Sequence, residues 1–268
     1  MSTIPPILLV GCGRMGSAML AGWRERGLAP SVAVDPAPSA ASLAGPDLTV
    51  VADAAAIPGG FTPAAVVLAV KPQSAAEALP PHARFAGDAV FLSIMAGRTI
   101  GGIRALLGAT AAIVRAMPNT PAAVRQGITV GCPGAGVTRD QGMLCRTLLE
   151  AIGTVAWVED EGLLDPVTAV SGSGPAYVFL LAELMEQAAI EQGIPADLAR
   201  KLARQTVSGS GALLAASPED AAALRKAVTS PAGTTERALQ VLMAPDAWPS
   251  AMHRAIDAAT KRSRELAG

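Results

Sequence analysis

Two short stretches of this sequence contain residues whose types and spacing could do chemistry. GCGRMG at positions 11–16 has the GxGxxG spacing, and VTSPAGTTERAL at 228–239 is rich in glycine and hydroxyl groups. A glycine-rich turn that leads from a strand into a helix brings backbone N–H groups close to phosphate. Hydroxyls and free N–H groups at a helix start suit a carboxylate. The sequence therefore predicts binding sites for two anionic groups.

The GCGRMG stretch follows the apolar run ILLV and precedes a helical pattern, which is the context of a dinucleotide-binding turn. Gly11 permits the tight turn, Gly13 lets the backbone approach a pyrophosphate, and Gly16 lets the helix pack closely on the strand. Arg14 and Met15 open the helix, so we include them among the predicted cofactor-binding residues. The alternative is a glycine-rich turn that binds no ligand.

Asp35 ends the second predicted strand, SVAVD. A carboxylate there can accept hydrogen bonds from both ribose hydroxyls of NAD, and it would repel the 2′-phosphate of NADP. The following PAPSAAS contains no lysine or arginine, although Ser39 or Ser42 could hydrogen-bond a phosphate. The sequence therefore favours NADH over NADPH. The alternative role of Asp35 is that of a turn residue before Pro36.

Two loops follow predicted strands and offer further cofactor contacts, because the carboxyl ends of parallel strands are where such sheets bind ligands. AVKPQ contributes Val70, Lys71 and Pro72, and MPNTP contributes Asn119 between two prolines. We predict that these residues line the cofactor. A solvated charge for Lys71 and a structural turn at Asn119 are the alternatives.

The SPAGTT segment predicts an anion site at a helix start. With Ser230 as the N-cap and Pro231 as the first helical residue, the N–H groups of Ala232, Gly233 and Thr234 would be free. TAVSGSGPAY has a similar arrangement of hydroxyls and glycines before a predicted helix. A capped helix without a ligand is the alternative at both places.

The elements that position these residues change in kind along the chain. Up to about residue 160, short apolar strands alternate with helical patterns, and this alternation is typical of a parallel sheet covered on both faces. The later part contains helical patterns alone. The predicted fold is α/β, with an N-terminal Rossmann dinucleotide-binding domain over residues 1–160 and an all-α domain over 161–268.

Composition excludes several classes of function. The 268 residues are 51% hydrophobic and 16% charged, with a net charge of −1, so a nucleic-acid partner is not expected. The most apolar stretches are interrupted by PGG and SGSGP, which argues against a membrane span. The three cysteines lack CxxC spacing, which predicts free thiols, no metal site and a cytoplasmic location.

Six motifs together carry a resemblance to a known family. GCGRMG, AVKPQ, SIMAGRTI, VRAMPNTPA, TAVSGSGPAY and VTSPAGTTERAL occur in this order, and the chain resembles pyrroline-5-carboxylate reductase from about residue 7 to 265. The resemblance implies hydride transfer from NADPH or NADH to the ring imine of 1-pyrroline-5-carboxylate, the last step of proline biosynthesis. It also implies an interleaved homodimer with the substrate site at its interface, and in this family dimers often assemble into rings.

The resemblance also implies roles for residues of the helical half. These are Thr235 as the hydrogen-bond partner of the ring nitrogen, Ser230, Gly233 and Thr234 around the substrate carboxylate, and Ser171, Gly172 and Ser173 on the opposite wall. Lys71, Pro72 and Asn119 would line the nicotinamide. The family usually has two glycines after Ser-Pro, whereas this chain has Ala232 first. We therefore predict an ordinary, negative φ at Ala232.

Two other functions fit the architecture. A β-hydroxyacid dehydrogenase would need a catalytic lysine in the helical half, but Lys201, Lys226 and Lys261 lie outside any glycine-rich motif. A non-catalytic dinucleotide sensor would have no need for SPAGTT. Neither His82 nor His253 is assigned a catalytic role, since reduction of an imine that arrives protonated needs positioning more than acid–base groups.

Overall fold

An eight-stranded sheet organises the first part of the chain. The computed structural model describes residues 4–267, so the outer limits of the two predicted domains, residues 1 and 268, lie outside the described residues. The strands are β1 (Ile7–Val10), β2 (Ser31–Val34), β3 (Leu48–Val51), β4 (Ala65–Leu68), β5 (Val90–Ser93), β6 (Ala112–Met117), β7 (Gly127–Pro133) and β8 (Gly153–Trp157). All were predicted from the sequence except β3.

The order of the strands creates a crevice beside β1. The sheet runs β3-β2-β1-β4-β5-β6-β7-β8, and every neighbouring pair is parallel except β6 and β7. The chain winds outward from β1 in one direction and from β4 in the other. Ligands of such sheets bind at this reversal, beyond the carboxyl ends of the strands. Gly11 follows β1 and the AVKPQ loop follows β4, so both lie at this edge.

Alternating side chains of the central strands build two apolar layers. Leu9 and Val67 belong to one buried cluster, whereas Leu8 and Val66 belong to the other. Successive side chains of a strand point to opposite faces, so strands buried on both faces read as unbroken apolar runs. The predicted parallel sheet covered on both faces is thereby confirmed, with β7 and β8 running antiparallel to the other six strands.

Five α-helices accompany the sheet within the described residues. They are α1 (Arg14–Glu25), α2 (Ala75–Ala78), α3 (Ile100–Leu107), α4 (Arg139–Glu150) and α5 (Leu164–Val167). Helix α1 buries Met19, Leu20 and Trp23, and the Trp23 indole N–H donates to the Leu148 carbonyl at 2.9 Å. This face of α1 holds the glycine-rich turn against the sheet.

Arg115 and Glu161 form an ion pair in which the guanidinium is buried and the carboxylate is partly exposed. The side chain of Arg115 on β6 donates to Glu161 at 2.9 Å, and Arg115 is 4% exposed. The same oxygen of Glu161 accepts the Ile100 backbone N–H at 2.8 Å, at the start of α3. A buried guanidinium needs such a partner, because removing one member of a buried pair typically costs about 3–5 kcal/mol.

The remaining helices follow Ser173. They are α6 (Gly174–Glu191), α7 (Ala196–Ala216), α8 (Ala221–Ala227), α9 (Thr234–Leu242) and α10 (Trp248–Ala267). Contacts divide the described chain into one compact unit that ends at Gly172 and resumes at Ala259, and a second unit, Ser173–Ala258. The predicted boundary between residues 160 and 161 concerns functional domains and stays a prediction.

Helix α10 contributes to both units. Its first part belongs to Ser173–Ala258, and its last turns belong to the sheet-containing unit. There the Ser263 hydroxyl donates to the Asp165 carboxylate at 2.7 Å in a buried hydrogen bond. Leu266 lies against Gly97, where an added Cβ would be 3.2 Å from the Leu266 Cβ. The sheet-containing unit is therefore completed by residues about a hundred positions beyond its main segment.

The unit Ser173–Ala258 has almost no core of its own. Among its described residues only Ala199 and Ala203 are buried. Large apolar side chains stand in solvent instead, including Phe179 at 66% exposed and Leu184 at 50%. Exposed apolar area of this extent marks a surface that another molecule covers.

The same region contains the one stretch among the described residues that could cross a membrane by length and composition. It runs from Glu161 to Glu191, and 6% of its most apolar window is buried. The sequence predicted that SGSGP interrupts this stretch. That prediction is wrong, because a π-helical turn, Thr168–Gly172, continues α5 towards α6.

Candidate active site

The glycine-rich turn has the geometry of a phosphate cradle. Gly11 has φ +97°, and a Cβ there would lie 2.8 Å from the Ala69 carbonyl oxygen. A Cβ on Gly16 would collide with the Gly11 carbonyl oxygen. At Gly13, by contrast, nothing lies within 4 Å of an added Cβ. A side chain at Gly11 or Gly16 would therefore clash with the protein backbone, whereas Gly13 leaves open space beside the turn.

The start of α1 presents unpaired donors to that space. Gly13 is the N-cap of α1, with no side-chain cap. Within residues 4–267 no group accepts a hydrogen bond from the backbone N–H of Arg14 or Met15. Unpaired N–H groups and the positive end of the helix dipole favour an anion at this position.

The Asp35 side chain, which follows β2, is hydrogen-bonded to the glycine-rich turn. One carboxylate oxygen accepts the Cys12 N–H at 2.6 Å, and the other accepts the Ala37 N–H at 2.8 Å. Because each carboxylate oxygen has a second lone pair, Asp35 can still accept from a ribose. Asp35 therefore fixes the glycine-rich turn as well as facing the cavity beside it.

A cavity of about 620 Å³ lies at this edge of the sheet. Five predicted cofactor residues line it, namely Gly11, Gly13, Asp35, Val70 and Lys71. The other five, Arg14, Met15, Gly16, Pro72 and Asn119, do not line it. The cavity has the size and position of a nucleotide site at the strand reversal.

Sequence reasoning missed three ionisable residues of this cavity. Asp53, Glu77 and His82 line it together with Asp35 and Lys71. Asp53 follows β3, the strand that was not predicted, and its carboxylate caps a short 3-10 helix by accepting the Ala55 N–H at 2.7 Å. Recognising LTVV as a strand would have placed Asp53 at the same edge as Asp35. The cavity wall thus carries three carboxylates and one lysine.

Two ionisable side chains at the cavity are neutral near physiological pH. Burial, with a smaller contribution from the nearby Arg84, lowers the pKa of His82 to about 4. The Nδ1 of His82 is buried without a hydrogen-bond partner among the described residues. Burial, with a smaller contribution from Asp35, raises the pKa of the Cys12 thiol to about 11. That His82 is not catalytic stays a prediction.

Asn119 has a structural contact. It is 9% exposed, and its side-chain oxygen accepts the Ile128 N–H at 2.9 Å, which ties the MPNTP loop to β7. Its side-chain NH₂ group can still donate a hydrogen bond to a ligand. Pro72 opens a short 3-10 helix after β4, and its carbonyl accepts from Arg98 at 3.0 Å. Both loops are therefore held by contacts within the sheet-containing unit.

The TAVSGSGPAY segment contains the predicted helix start, because α6 begins at Gly174 within it, but the residues before that start form a π-helical turn. Ser171 lies in the π-helical turn and donates its hydroxyl hydrogen bond to the Val167 carbonyl at 3.0 Å. An added Cβ on Gly172 would lie 2.7 Å from the Met117 side chain. Ser173 is the residue before α6 and has helical backbone angles. Single π-helical turns occur often at functional sites, and this one brings Gly172 close to the end of β6.

The SPAGTT segment forms a turn followed by α9, which begins three residues later than predicted. Gly233 is the N-cap of α9 and Thr234 its first residue, so Ser230 is not the N-cap. The Gly233 N–H donates to the Ser230 carbonyl at 3.1 Å, and the Ala232 N–H donates to Glu236 at 2.8 Å. The predicted free N–H groups of Ala232 and Gly233 are therefore paired.

The open end of α9 lies at the two threonines. Within residues 4–267 no group accepts from the backbone N–H or from the hydroxyl of Thr234 or Thr235. Side chains and backbone thus provide donors at the same place. The unpaired donors therefore lie at Thr234 and Thr235 and not at Ala232, and the anion site itself stays a prediction.

Ala232 has a positive φ, and the prediction of an ordinary φ is wrong. Its φ is +56°, between Pro231 and the Gly233 N–H that closes the turn on Ser230. Proline at the second position and positive φ at the third are the features of a type II turn, in which glycine is preferred third. The left-handed conformation costs an alanine roughly 1 kcal/mol.

Replacing Ala232 with glycine should therefore stabilise the protein. Relief of the left-handed strain exceeds the added freedom of the unfolded chain, so we expect a gain of about 0.5–1 kcal/mol, or about 2 °C in Tm. The matched control is Ala222→Gly on the exposed side of α8, which should destabilise by about 1 kcal/mol. Thermal unfolding of both variants checks the prediction, and equal losses of stability would contradict it.

Family models match both parts of the chain. Residues 161–266 match the model described as pyrroline-5-carboxylate reductase dimerisation. Residues 6–97 match the model described as NADP oxidoreductase, coenzyme F420-dependent. The second match contains the glycine-rich turn and Asp35, and the first contains the SPAGTT turn.

Similar proteins agree with these models. A pyrroline-5-carboxylate reductase of Pseudomonas aeruginosa is 38% identical over 275 residues, which cover 100% of this chain and 98% of that protein. Pyrroline-5-carboxylate reductase 2 of Bacillus subtilis is 37% identical over 201 residues, which cover 75% of this chain and 72% of that protein.

Solved structures of such enzymes have the same fold. A pyrroline-5-carboxylate reductase from Coxiella burnetii superposes with a TM-score of 0.91 at 31% identity and covers 99% of both chains. The Plasmodium falciparum enzyme, with NADP bound, superposes with a TM-score of 0.85 at 25% identity and covers 100% of both chains.

Proposed function

Since this chain belongs to the pyrroline-5-carboxylate reductase family, we propose which of its residues perform that family's reaction. The protein is an NAD(P)H-dependent oxidoreductase that reduces 1-pyrroline-5-carboxylate to L-proline, the last step of proline biosynthesis. The observation that carries this conclusion is identity of 38% along the whole chain to an enzyme of that name. Oxidation of NAD(P)H in the presence of pyrroline-5-carboxylate tests it directly.

The cofactor fits the cavity beside β1. We propose that its pyrophosphate contacts Gly11, Gly13 and Gly16 and the unpaired N–H groups of Arg14 and Met15. Val70, Lys71 and Pro72, together with the amide of Asn119, would line its nicotinamide end. When bound, the nucleotide supplies the hydride that reduces the C=N bond.

We propose a preference for NADH over NADPH. The supporting observations are Asp35 at the end of β2 and the further carboxylates of Asp53 and Glu77 on the same cavity wall. A 2′-phosphate there would face negative charge, with Lys71 as the one cation that lines the cavity within the described residues.

The ratio of rates with the two cofactors is the measurement for this proposal. We expect kcat/KM with NADH to exceed that with NADPH by about 10-fold or more, because like charges disfavour the phosphate by at least roughly 1.4 kcal/mol. A ratio at or below one would show that Asp35 serves only to hold the Cys12 N–H.

We propose that the substrate carboxylate binds at the open end of α9. Ser230, Gly233 and Thr234 would surround it, and Thr235 would hydrogen-bond the ring nitrogen. The unpaired donors of Thr234 and Thr235 support this role. Ser171 and Ser173 would form the opposite wall, with the Ser171 hydroxyl kept in place by the Val167 carbonyl.

Thr235→Ala should lower kcat/KM by about 100-fold or less, since it removes one substrate hydrogen bond worth roughly 1–3 kcal/mol. Steady-state kinetics with both substrates varied would give this value. Thr235→Ser, which keeps the hydroxyl, is the matched control and should lose much less. Unchanged kinetics in Thr235→Ala would remove Thr235 from the mechanism.

In this proposal, the protein contributes to the reaction by aligning the two reactants more than by transferring protons. Because His82 and Cys12 are both neutral near pH 7, we propose that the imine nitrogen takes its proton from water before it binds. The residues at α9 then hold the carboxylate and the nitrogen in one orientation. Fixing two reactants in this way can supply most of the rate enhancement.

The protein is a homo-oligomer, because residues 161–266 match a dimerisation family. We propose that residues 1–160 serve as the cofactor domain and 161–268 as the dimerisation and substrate domain. The apolar surface of α6, which includes Phe179 and Leu184, would be covered by a second copy of the chain and not by a membrane. A ring of such dimers and a cytoplasmic location complete the proposal.

A further inference from the structure

A side chain outside the proposed substrate contacts holds the SPAGTT turn. The Glu236 carboxylate reaches back from the first turn of α9 and accepts the Ala232 N–H at 2.8 Å. The other hydrogen bond across this turn joins the backbone of Gly233 to that of Ser230 at 3.1 Å. Glu236 is therefore the side chain that fixes the residue with positive φ.

We propose that Glu236 is a positioning residue for the reduction of pyrroline-5-carboxylate. It keeps Ala232 in its left-handed conformation, and it thereby keeps Ser230 on one side of the turn and Thr234 on the other. This inference rests on the proposed binding of the substrate carboxylate at α9. Glu236 itself acts through the turn and needs no contact with the substrate.

The need for this contact follows from the residue at position 232. A glycine would adopt φ +56° without strain, whereas an alanine does so only when its surroundings hold it there. Without an acceptor for its N–H, Ala232 would relax towards negative φ. That change would rotate the Pro231–Ala232 segment and move Ser230 relative to the α9 donors. The left-handed conformation of Ala232 thus depends on the hydrogen bond to Glu236.

The charge of Glu236 works against substrate binding, so its value must lie in the hydrogen bond. A carboxylate in the first turn is stabilised by the helix dipole, but it also repels a second carboxylate bound at the same helix end. A neutral acceptor of the same shape should therefore serve as well as the glutamate does. This separates the positioning role from an electrostatic one.

Steady-state kinetics of four variants of the full chain test the proposal. At saturating cofactor, Glu236→Ala should raise the KM for pyrroline-5-carboxylate about 5-fold, with kcat and the cofactor KM within about 2-fold of wild type. Glu236→Gln should keep a KM at or below that of wild type. The double variant Ala232→Gly, Glu236→Ala should recover most of the lost affinity. Arg237→Ala, which removes an exposed contact to Gln240 on the same helix, is the control.

Amide exchange of Ala232 gives a readout that does not depend on activity. In Glu236→Ala the exchange of this N–H should be at least about 10-fold faster than in wild type, and in Glu236→Gln it should stay slow. Unchanged exchange in Glu236→Ala overturns the inference whatever the kinetics show. A double variant no better than Glu236→Ala, or a Glu236→Gln as poor as Glu236→Ala, also overturns it.

The same set of variants distinguishes failure of the inference from failure of the proposed substrate site. If Thr235→Ala and Glu236→Ala both have normal kinetics although the Ala232 N–H exchanges faster in Glu236→Ala, then Glu236 holds the turn but the substrate does not bind there, and the proposed site fails. If Thr235→Ala is impaired while Glu236→Ala is normal, then the site stands and Glu236 has no part in it.

Discussion

Gly13→Ala should weaken NADH binding about 100-fold while the free protein keeps nearly all its stability. The backbone of Gly13 has φ −63°, which alanine adopts readily, and an added Cβ meets nothing within 4 Å. The cost to the free protein is limited to a poorer N-cap, about 1 kcal/mol or less. The methyl group would instead occupy the space where a pyrophosphate approaches the turn. The loss should therefore appear only when the nucleotide binds.

The measurement pairs nucleotide titration with thermal unfolding. Gly16→Ala is the informative control, because its Cβ would collide with the Gly11 carbonyl oxygen in the free protein. That variant should lose stability as well as binding. If Gly13→Ala bound NADH as tightly as wild type does, the nucleotide would not lie against this turn, and the proposed cofactor site would be wrong.

Phe179→Glu should convert the oligomer to monomers and lower kcat/KM by more than about 100-fold. Phe179 is 66% exposed on α6, in a unit whose only buried described residues are Ala199 and Ala203. A second copy must supply the missing apolar contacts, and an unpaired carboxylate buried in such an interface costs several kcal/mol. Without the partner, the turn that carries Ser230 and the helix that carries Thr235 should lose their support.

Light scattering after gel filtration, together with the kinetic assay, checks this expectation. Gln187→Glu introduces the same charge at an exposed polar position of the same helix and should remain oligomeric and active. Phe179→Leu keeps an apolar side chain and should also remain so. A Phe179→Glu protein that stayed oligomeric would show that this face of α6 is not at the interface.

The sheet and the glycine-rich turn could be predicted because their signals are local. Unbroken apolar runs such as ILLV and AVVL are buried on both faces, and Gly11 and Gly16 of the turn are required by contacts with the neighbouring backbone. Strand β3 was missed because LTVV is half-buried at the edge of the sheet, where burial gives a weaker pattern. With it Asp53 was missed, although Asp53 faces the same cavity as Asp35.

The helical half was predicted less well because its turns depend on contacts between residues. Serine and proline in sequence predict a helix start at Ser230, but the turn is closed by Gly233 and anchored by Glu236 instead. A rule against positive φ for alanine failed at Ala232 because that anchor offsets the strain. Likewise, the sequence did not reveal the π-helical turn before α6, in which Gly172 lies against the Met117 side chain.

The return of α10 to the sheet-containing unit has a consequence for how the protein is made. Asp165 is synthesised well before Ser263, its buried hydrogen-bond partner, and the whole of Ser173–Ala258 emerges from the ribosome between them. The sheet-containing unit therefore stays incomplete, with Asp165 unpaired, until the helices that follow it have been translated. Its last step of folding is coupled to the completion of the half that recruits the partner subunit.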